Sequence, residues 1–183
     1  MSTYDYIIVG AGSAGCVLAA RLTENGRKSV LLLEAGPRDT DRWIHVPLGY
    51  GKLFTRTDVN WSYESEPEPS LNGRRIFTPR GKVLGGSSSI NGLVYIRGQA
   101  EDFDAWGIPG WDFAGLRPYF EKAELELKVS DLERHELADA FIESAASLGI
   151  PRTADFNGPS QEGTGYYRAT AHLGRRRSTA VAY

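Results

Sequence analysis

The stretch from Tyr4 to Glu34 narrows the possible folds more than any other part of the chain. Tyr4-Asp5-Tyr6-Ile7-Ile8-Val9 is rich in aromatic and β-branched residues and stops at a glycine, which predicts a short buried strand. Gly10-Ala11-Gly12-Ser13-Ala14-Gly15 follows at once. Cys16, Val17, Leu18, Ala19 and Leu22 then give an apolar face at helical spacing, and Gly26 ends it. Ser29 to Leu33 reads as a second apolar strand that stops at Glu34. In such a βαβ start, Gly10 makes the sharp turn, Gly12 lets a pyrophosphate approach bare backbone, and Gly15 lets the helix pack close to the strand. The first N–H groups of the helix lack partners and point at the phosphates. Glu34 falls about 20 residues on, where a carboxylate accepts from ribose hydroxyls. A GxGxxG alone is weak evidence; with both strands, the helix-ending glycine and the acid, it predicts dinucleotide binding.

The bulk properties exclude several classes. A chain of 183 residues suits one large domain or part of a bigger protein. A net charge of −2 gives no strong pull toward nucleic acid or anionic membrane. The short basic run Arg175-Arg176-Arg177 is weak as a nucleic-acid patch. The single cysteine, Cys16, leaves no disulfide within the chain and no cysteine-based metal site. It falls on the first turn of the predicted helix, where it reads as small buried packing. No apolar run reaches transmembrane length and no secretion signal is visible, so the expected location is the cytoplasm.

Further along, Arg38 to Trp61 reads as loop, but its apolar residues predict an ordered excursion lying over the core, with His45 structural or at the surface. Trp61 to Glu66 reads as a strand, and Asn72-Gly73 suits a type I′ hairpin turn with Arg74 to Thr78 returning. Pro79 to Asp104 holds a second glycine-rich segment. Gly85, Gly86 and three consecutive serines form another anion cradle, and Asn91-Gly92 allows close approach of a flat ligand. A second phosphate-approach loop near the first favours FAD over a nicotinamide cofactor. Asp112 is a predicted helix cap, with Pro118 opening a helix to about Leu127. Leu137 to Leu148 reads as a helix ended by Gly149 and Pro151, with His135 solvent-facing just before it. Tyr166 to His172 reads as a strand, and Ser178 as the cap of a short helix from Thr179.

Gly81-Lys82-Val83-Leu84-Gly85-Gly86-Ser87-Ser88-Ser89-Ile90-Asn91, with Tyr95, Gly98 and Asp104, resembles the first signature of the glucose-methanol-choline (GMC) oxidoreductases. GAGSAG, NWSYESEPEP, WDFAGLRPYFEKAE and GRRRSTAVAY resemble its bacterial choline and alcohol dehydrogenase branch. The resemblance implies an α/β fold: a Rossmann-like FAD-binding domain, incomplete, with the beginning of an α+β substrate domain. The expected division is an FAD-binding βαβ unit at 1–36, an FAD-covering excursion and second FAD loop at 37–110, and the start of a substrate domain at 111–183. By the same resemblance, Gly10, Gly12, Ser13 and Ala14 touch the FAD pyrophosphate, Glu34 meets the adenine ribose, and Ala35 is a further cofactor-binding residue. Arg80, Val83, Gly85, Gly86 and Ser87 lie along the cofactor, and Asn91, Gly92, Leu93 and Val94 line the isoalloxazine.

The implied activity is FAD-dependent oxidation of a small-molecule alcohol. Family members are longer, and their catalytic histidine lies near the C-terminus. His45, His135 and His172 match no such position, so this chain is expected to supply the cofactor half, to be inactive alone and to need the remaining polypeptide. A family loop usually found between Glu124 and Leu125 is absent. Ile90 stands where some members carry a histidine bonded to flavin, which implies non-covalent FAD. Two other readings stay open: a flavin-containing hydroxynitrile lyase of the same fold, and a shortened nucleotide-binding module.

Overall fold

A computed structural model describes residues 3–183. The chain divides into two compact units, one formed by residues up to Leu93 together with Ala171–Tyr183, the other by Val94–Thr170. The sequence-based division follows cofactor motifs and cuts the chain elsewhere, after residues 36 and 110.

The first unit opens with β1 (Tyr6–Val9), α1 (Ser13–Thr23) and β2 (Val30–Leu33). The two strands pair in parallel, Tyr6 opposite Val30 and Val9 opposite Leu33. This is the βαβ start expected from the sequence, with one correction. The first strand is not buried: Ile7 is 64% and Val9 84% exposed. A parallel sheet is covered when helices and neighbouring strands enclose it; here it has two strands and one long helix. Cys16 packs inward, 6% exposed, and its Sγ–H donates to Ala11 O at 3.2 Å. Burial pushes its thiol pKa up rather than down.

The excursion read as loop carries α2 (Arg42–His45) and α3 (Tyr50–Leu53), joined by a 3₁₀ turn at Pro47–Gly49. Asp41 caps α2, accepting from Trp43 N–H at 2.8 Å. Instead of lying over a core made elsewhere, this segment builds one. Ile44, Leu53 and Val59 pack with Val83 and Ile90, all 2% exposed or less, and Trp43 closes one side. Short helical turns escape periodicity arguments because one turn presents too few positions to show a repeat. Next come β3 (Tyr63–Glu64) and β4 (Phe77–Thr78), paired antiparallel. Asn72 and Gly73 have φ of 59° and 72°, the left-handed pair a type I′ turn demands.

The second unit contains β5 (Val94–Tyr95), α4 (Ala100–Asp104), α5 (Phe113–Leu127), β6 (Ser130–Asp131), α6 (Glu136–Ser147) and β7 (Arg168–Ala169). Its sheet runs β5-β7-β6, antiparallel throughout. Asp112 caps α5 by accepting from Gly115 N–H at 2.7 Å. The helix therefore starts at Phe113, not at Pro118, which lies inside it. The proline is tolerated near the helix start at the loss of one backbone hydrogen bond. The Glu124–Leu125 junction lies within this helix, which runs through it unbroken. His135 caps α6 through Nδ1, accepting from Leu137 N–H. Gly149, at φ 85°, follows the end of the helix.

The segment read as one strand from Tyr166 to His172 is split. β7 belongs to the second unit, and β8 (Ala171–His172) turns back onto β9 (Arg175–Arg176) in the first. α7 (Thr179–Ala182) follows with Ser178 at its N-cap. Ser178 does not cap it by its side chain; the Thr179 N–H donates to Ser88 Oγ at 2.9 Å instead. Among the described residues, no helix is long and apolar enough to cross a membrane.

Candidate functional site

The first glycine loop is shaped by its own neighbourhood. Gly10 N–H donates to Leu33 O at 2.7 Å, tying the end of β1 to the end of β2. The chain then turns with Gly10 at φ 94°. A Cβ on Gly15 would stand 1.9 Å from Gly10 O and 3.4 Å from the Ile8 side chain, so only glycine lets α1 start this close to the strand. Glu34 grips the loop from β2: one carboxylate oxygen accepts from Ala11 N–H at 2.8 Å, the other from Gly36 N–H at 2.9 Å.

The second loop is a 3₁₀ turn at Gly86–Ser89, entered through Gly85 at φ 88°. Gly85 N–H donates to Ala11 O at 2.7 Å, which docks this loop on the first. Ser88 Oγ donates to Gly85 O at 2.6 Å and Ser89 Oγ to Leu84 O at 2.7 Å, closing the turn. A Cβ built on Gly86 would fall 2.7 Å from the Gly12 Cα. The two glycine loops therefore meet backbone to backbone.

Where they meet lies a groove of about 710 Å³, lined by residues of both loops and of the neighbouring strands. Of the residues singled out from sequence, Gly10, Gly12, Ser13, Glu34, Ala35, Arg80, Gly86 and Ser87 line it. Around it, the backbone N–H groups of Gly12, Ser13 and Ser87 donate to no other described residue. Unpartnered donors at a helix N-terminus and in a facing turn make a site for a ligand rich in acceptors, phosphate above all. A Cβ on Gly12 would meet no atom nearer than the Gly86 Cα at 4.0 Å.

The other expected residues lie elsewhere. Ala14 is exposed on the first turn of α1, and Val83 is fully buried in the core. Gly85 is the docking point just described. Asn91 and Gly92 are exposed, Leu93 is 6% exposed with φ 67°, and Val94 begins β5 in the second unit, half exposed. None of the three histidines lines the groove: His45 is engaged with Asp39 O, His135 caps α6 and His172 lies in β8.

Sequence reasoning missed two features. Trp61 and Tyr63 line the groove, their rings stacked at 5.9 Å and 5° with the Lys82 ammonium 4.7 Å from the Trp61 ring. Ser62 between them stands at φ 53° and β3 starts only at Tyr63, so a local bend and not strand alternation brings the rings together, and the spacing alone carries no signal of it. The second is Arg176, read only as part of a short basic run. It is 1% exposed and donates to Ile44, Ser88 and Asn91. Nothing local distinguishes it from Arg175 or Arg177.

The GMC oxidoreductase family model matches residues 4–183. The chain is 46% identical to an alcohol dehydrogenase [acceptor] of Pseudomonas putida, covering 98% of this chain and 36% of that protein. It is 44% identical to the mitochondrial choline dehydrogenase of Mus musculus, covering 98% and 34%. The crystal structure of a pyridoxine 4-oxidase from Mesorbium loti superposes with a TM-score of 0.91 at 34% identity, covering 99% of this chain and 39% of that one. A formate oxidase structure gives 0.85 at 27% identity, covering 98% and 36%. The chain thus spans little more than a third of the relatives it matches, and over that span it belongs to the GMC oxidoreductase family.

Proposed function

We propose that this chain is the FAD-binding part of an enzyme that oxidises an alcohol. The observation that carries the reading is the meeting of two glycine loops around unpartnered N–H donors of Gly12, Ser13 and Ser87. A dinucleotide pyrophosphate supplies the acceptors those donors lack. Gly12 and Ser13 would hold the pyrophosphate, with Ala14 beside them on the first turn of α1. Glu34 and Ala35 would take the adenosine side. Each Glu34 oxygen already accepts one backbone hydrogen bond, and a carboxylate has lone pairs left for a ribose hydroxyl. Gly86 and Ser87 would hold the other half of the cofactor, with Arg80 at the rim, and Asn91, Gly92, Leu93 and Val94 would lie toward the flavin ring.

When bound, FAD supplies an acceptor for the hydride leaving a CH–OH carbon. Relatives named for alcohol and for choline support an alcohol as substrate. The hydroxyl proton needs a base, and no histidine of this chain lines the groove, so the base comes from polypeptide outside it. The exposed apolar residues of β1 and β2 fit a sheet completed by further strands of that polypeptide. The cofactor is held without a covalent bond: Ile90 offers no nucleophile and is buried among Ile44, Leu53, Val59 and Val83.

The purified chain should take up FAD and turn yellow, and acid precipitation should leave the flavin in the supernatant. A folded chain that stays colourless in excess FAD would overturn the reading; a yellow acid pellet would overturn its non-covalent part. In a polypeptide extended to the relatives' length, alcohol should bleach the flavin band.

A further inference from the structure

Arg176 is a buried guanidinium with no charged partner. It is 1% exposed, and no carboxylate among the described residues forms an ion pair with it. Burial alone pulls its pKa down to about 10, so it stays charged at neutral pH. Burying a lone cation is expensive, and such a group persists where hydrogen bonds repay the lost water. The hydrogen bonds of Arg176 go to oxygen atoms of three residues. Nε donates to Ile44 O at 2.7 Å, on α2. Nη1 donates to Ser88 O at 3.1 Å and to Asn91 Oδ1 at 2.7 Å, and Nη2 to Asn91 O at 2.8 Å. One planar fork therefore ties the end of the second glycine loop to the helical core segment.

The bonds fix more than a position. They hold the Ser88 and Asn91 carbonyls against the guanidinium. Asn91 Oδ1, held by Nη1, also accepts from Leu93 N–H at 3.1 Å, which carries the constraint into the left-handed turn at Leu93. Three residues after Arg176, Thr179 N–H donates to the Ser88 hydroxyl. The strand and cap at 175–179 thus grip the loop at Ser88 and Asn91 from outside.

We propose that Arg176 is a positioning residue for the second cofactor loop, acting through the planar spread of its donors and not through its charge alone. The proposal deepens the FAD reading and rests on it for the ligand. Lysine keeps the charge but is a point donor, and it cannot span Ile44 O on one side and Asn91 on the other.

The test compares wild type with Arg176→Lys and Arg176→Met as full chains. In the absence of cofactor, hydrogen exchange should quicken in both variants at Ile90 and Asn91, whose N–H groups donate to Ser87 O, while β1, α1 and β2 keep their protection. FAD affinity should fall about tenfold in both, as expected when charged hydrogen bonds are lost. Affinity for ADP, which lacks the flavin half, should hold. Wild-type exchange rates at Ile90 and Asn91 in the lysine variant would overturn the proposal, and so would an equal rise across the whole first unit, which marks general destabilisation. Rescue of FAD affinity by lysine would assign the effect to charge and also overturn it. If wild type binds no FAD, the functional reading falls, while the exchange comparison still decides what Arg176 does.

Discussion

The two glycine loops touch at Gly12 and Gly86, yet they are held in shape by different parts of the chain. The first is local. Its strand, its turn, its helix and the acid that grips it all lie between Tyr6 and Gly36, and each contact runs through a hydrogen bond or a close approach inside that stretch. The second is remote. Ser88 meets Thr179 across 91 positions of sequence, and Asn91 meets Arg176 across 85. A glycine-rich, serine-rich segment has little preference of its own, because Gly85 and Gly86 lose more backbone freedom than other residues on ordering. It has to be fixed from outside, and the 175–179 segment does that. Substitutions that lock or release each loop should therefore behave differently.

The largest effect belongs to Gly15→Ala. Its Cβ would sit 1.9 Å from Gly10 O, which is backbone and cannot swing away. α1 must move off β1, at a cost of about 3 kcal/mol, the upper part of the range for overpacking. Urea denaturation of the first unit should show that loss, and an unchanged midpoint would mean the close packing matters less than the geometry says. Gly86→Ala is the counterpart in the second loop. It meets the Gly12 Cα at 2.7 Å and occupies φ 55°, so it should push the loops apart and lower FAD affinity, with a smaller change in the denaturation midpoint.

Serines sharpen the contrast. Ser88→Ala removes the acceptor for Thr179 N–H and the donor to Gly85 O, leaving buried backbone groups short of partners. A loss of about 1 to 3 kcal/mol follows. Ser13→Ala, in the first loop, removes a hydroxyl that is exposed, and it should stay within about 0.5 kcal/mol of wild type. Equal effects of the two changes on the denaturation midpoint would erase the distinction between a self-supporting loop and a strapped one.

The same division explains what could be read from sequence. The βαβ start, Glu34 and the hairpin at Asn72-Gly73 were legible because each is encoded within a few turns of chain: period, turn chemistry, terminal acid. The existence of the second cradle was legible from its glycines and serines, and eight of the expected residues do line one groove. What held that cradle was not legible. Arg176 sits in a run of three arginines, and burial of the middle one depends on where β9 meets α2, a fact of tertiary packing. The same holds for β1, whose composition promised burial but whose exposure depends on how many strands and helices surround it.

Asp41 tests the scaffold behind the strap and carries the smallest effect. Arg176 can hold the second loop only if Ile44 O is fixed, and Ile44 belongs to a four-residue helix. A helix that short has no stability of its own. Its start is set by Asp41, which accepts from Trp43 N–H and pairs with Arg56. Arg56 first, and the Trp43 N–H second, hold the Asp41 carboxyl below its usual pKa. A group with a depressed native pKa contributes stability that is complete above its unfolded value and is lost as pH falls through the native one. The first unit should therefore weaken below about pH 4, and Asp41→Asn should flatten that part of the profile. At neutral pH, Asp41→Ala should cost about 1 kcal/mol, the usual price of an N-cap. Hydrogen exchange gives the sharper reading. Losing the cap should loosen Ile44 and, through Arg176, Ile90 and Asn91, while α1 stays protected; if Ile44 loosens alone, α2 is not the anchor of the strap.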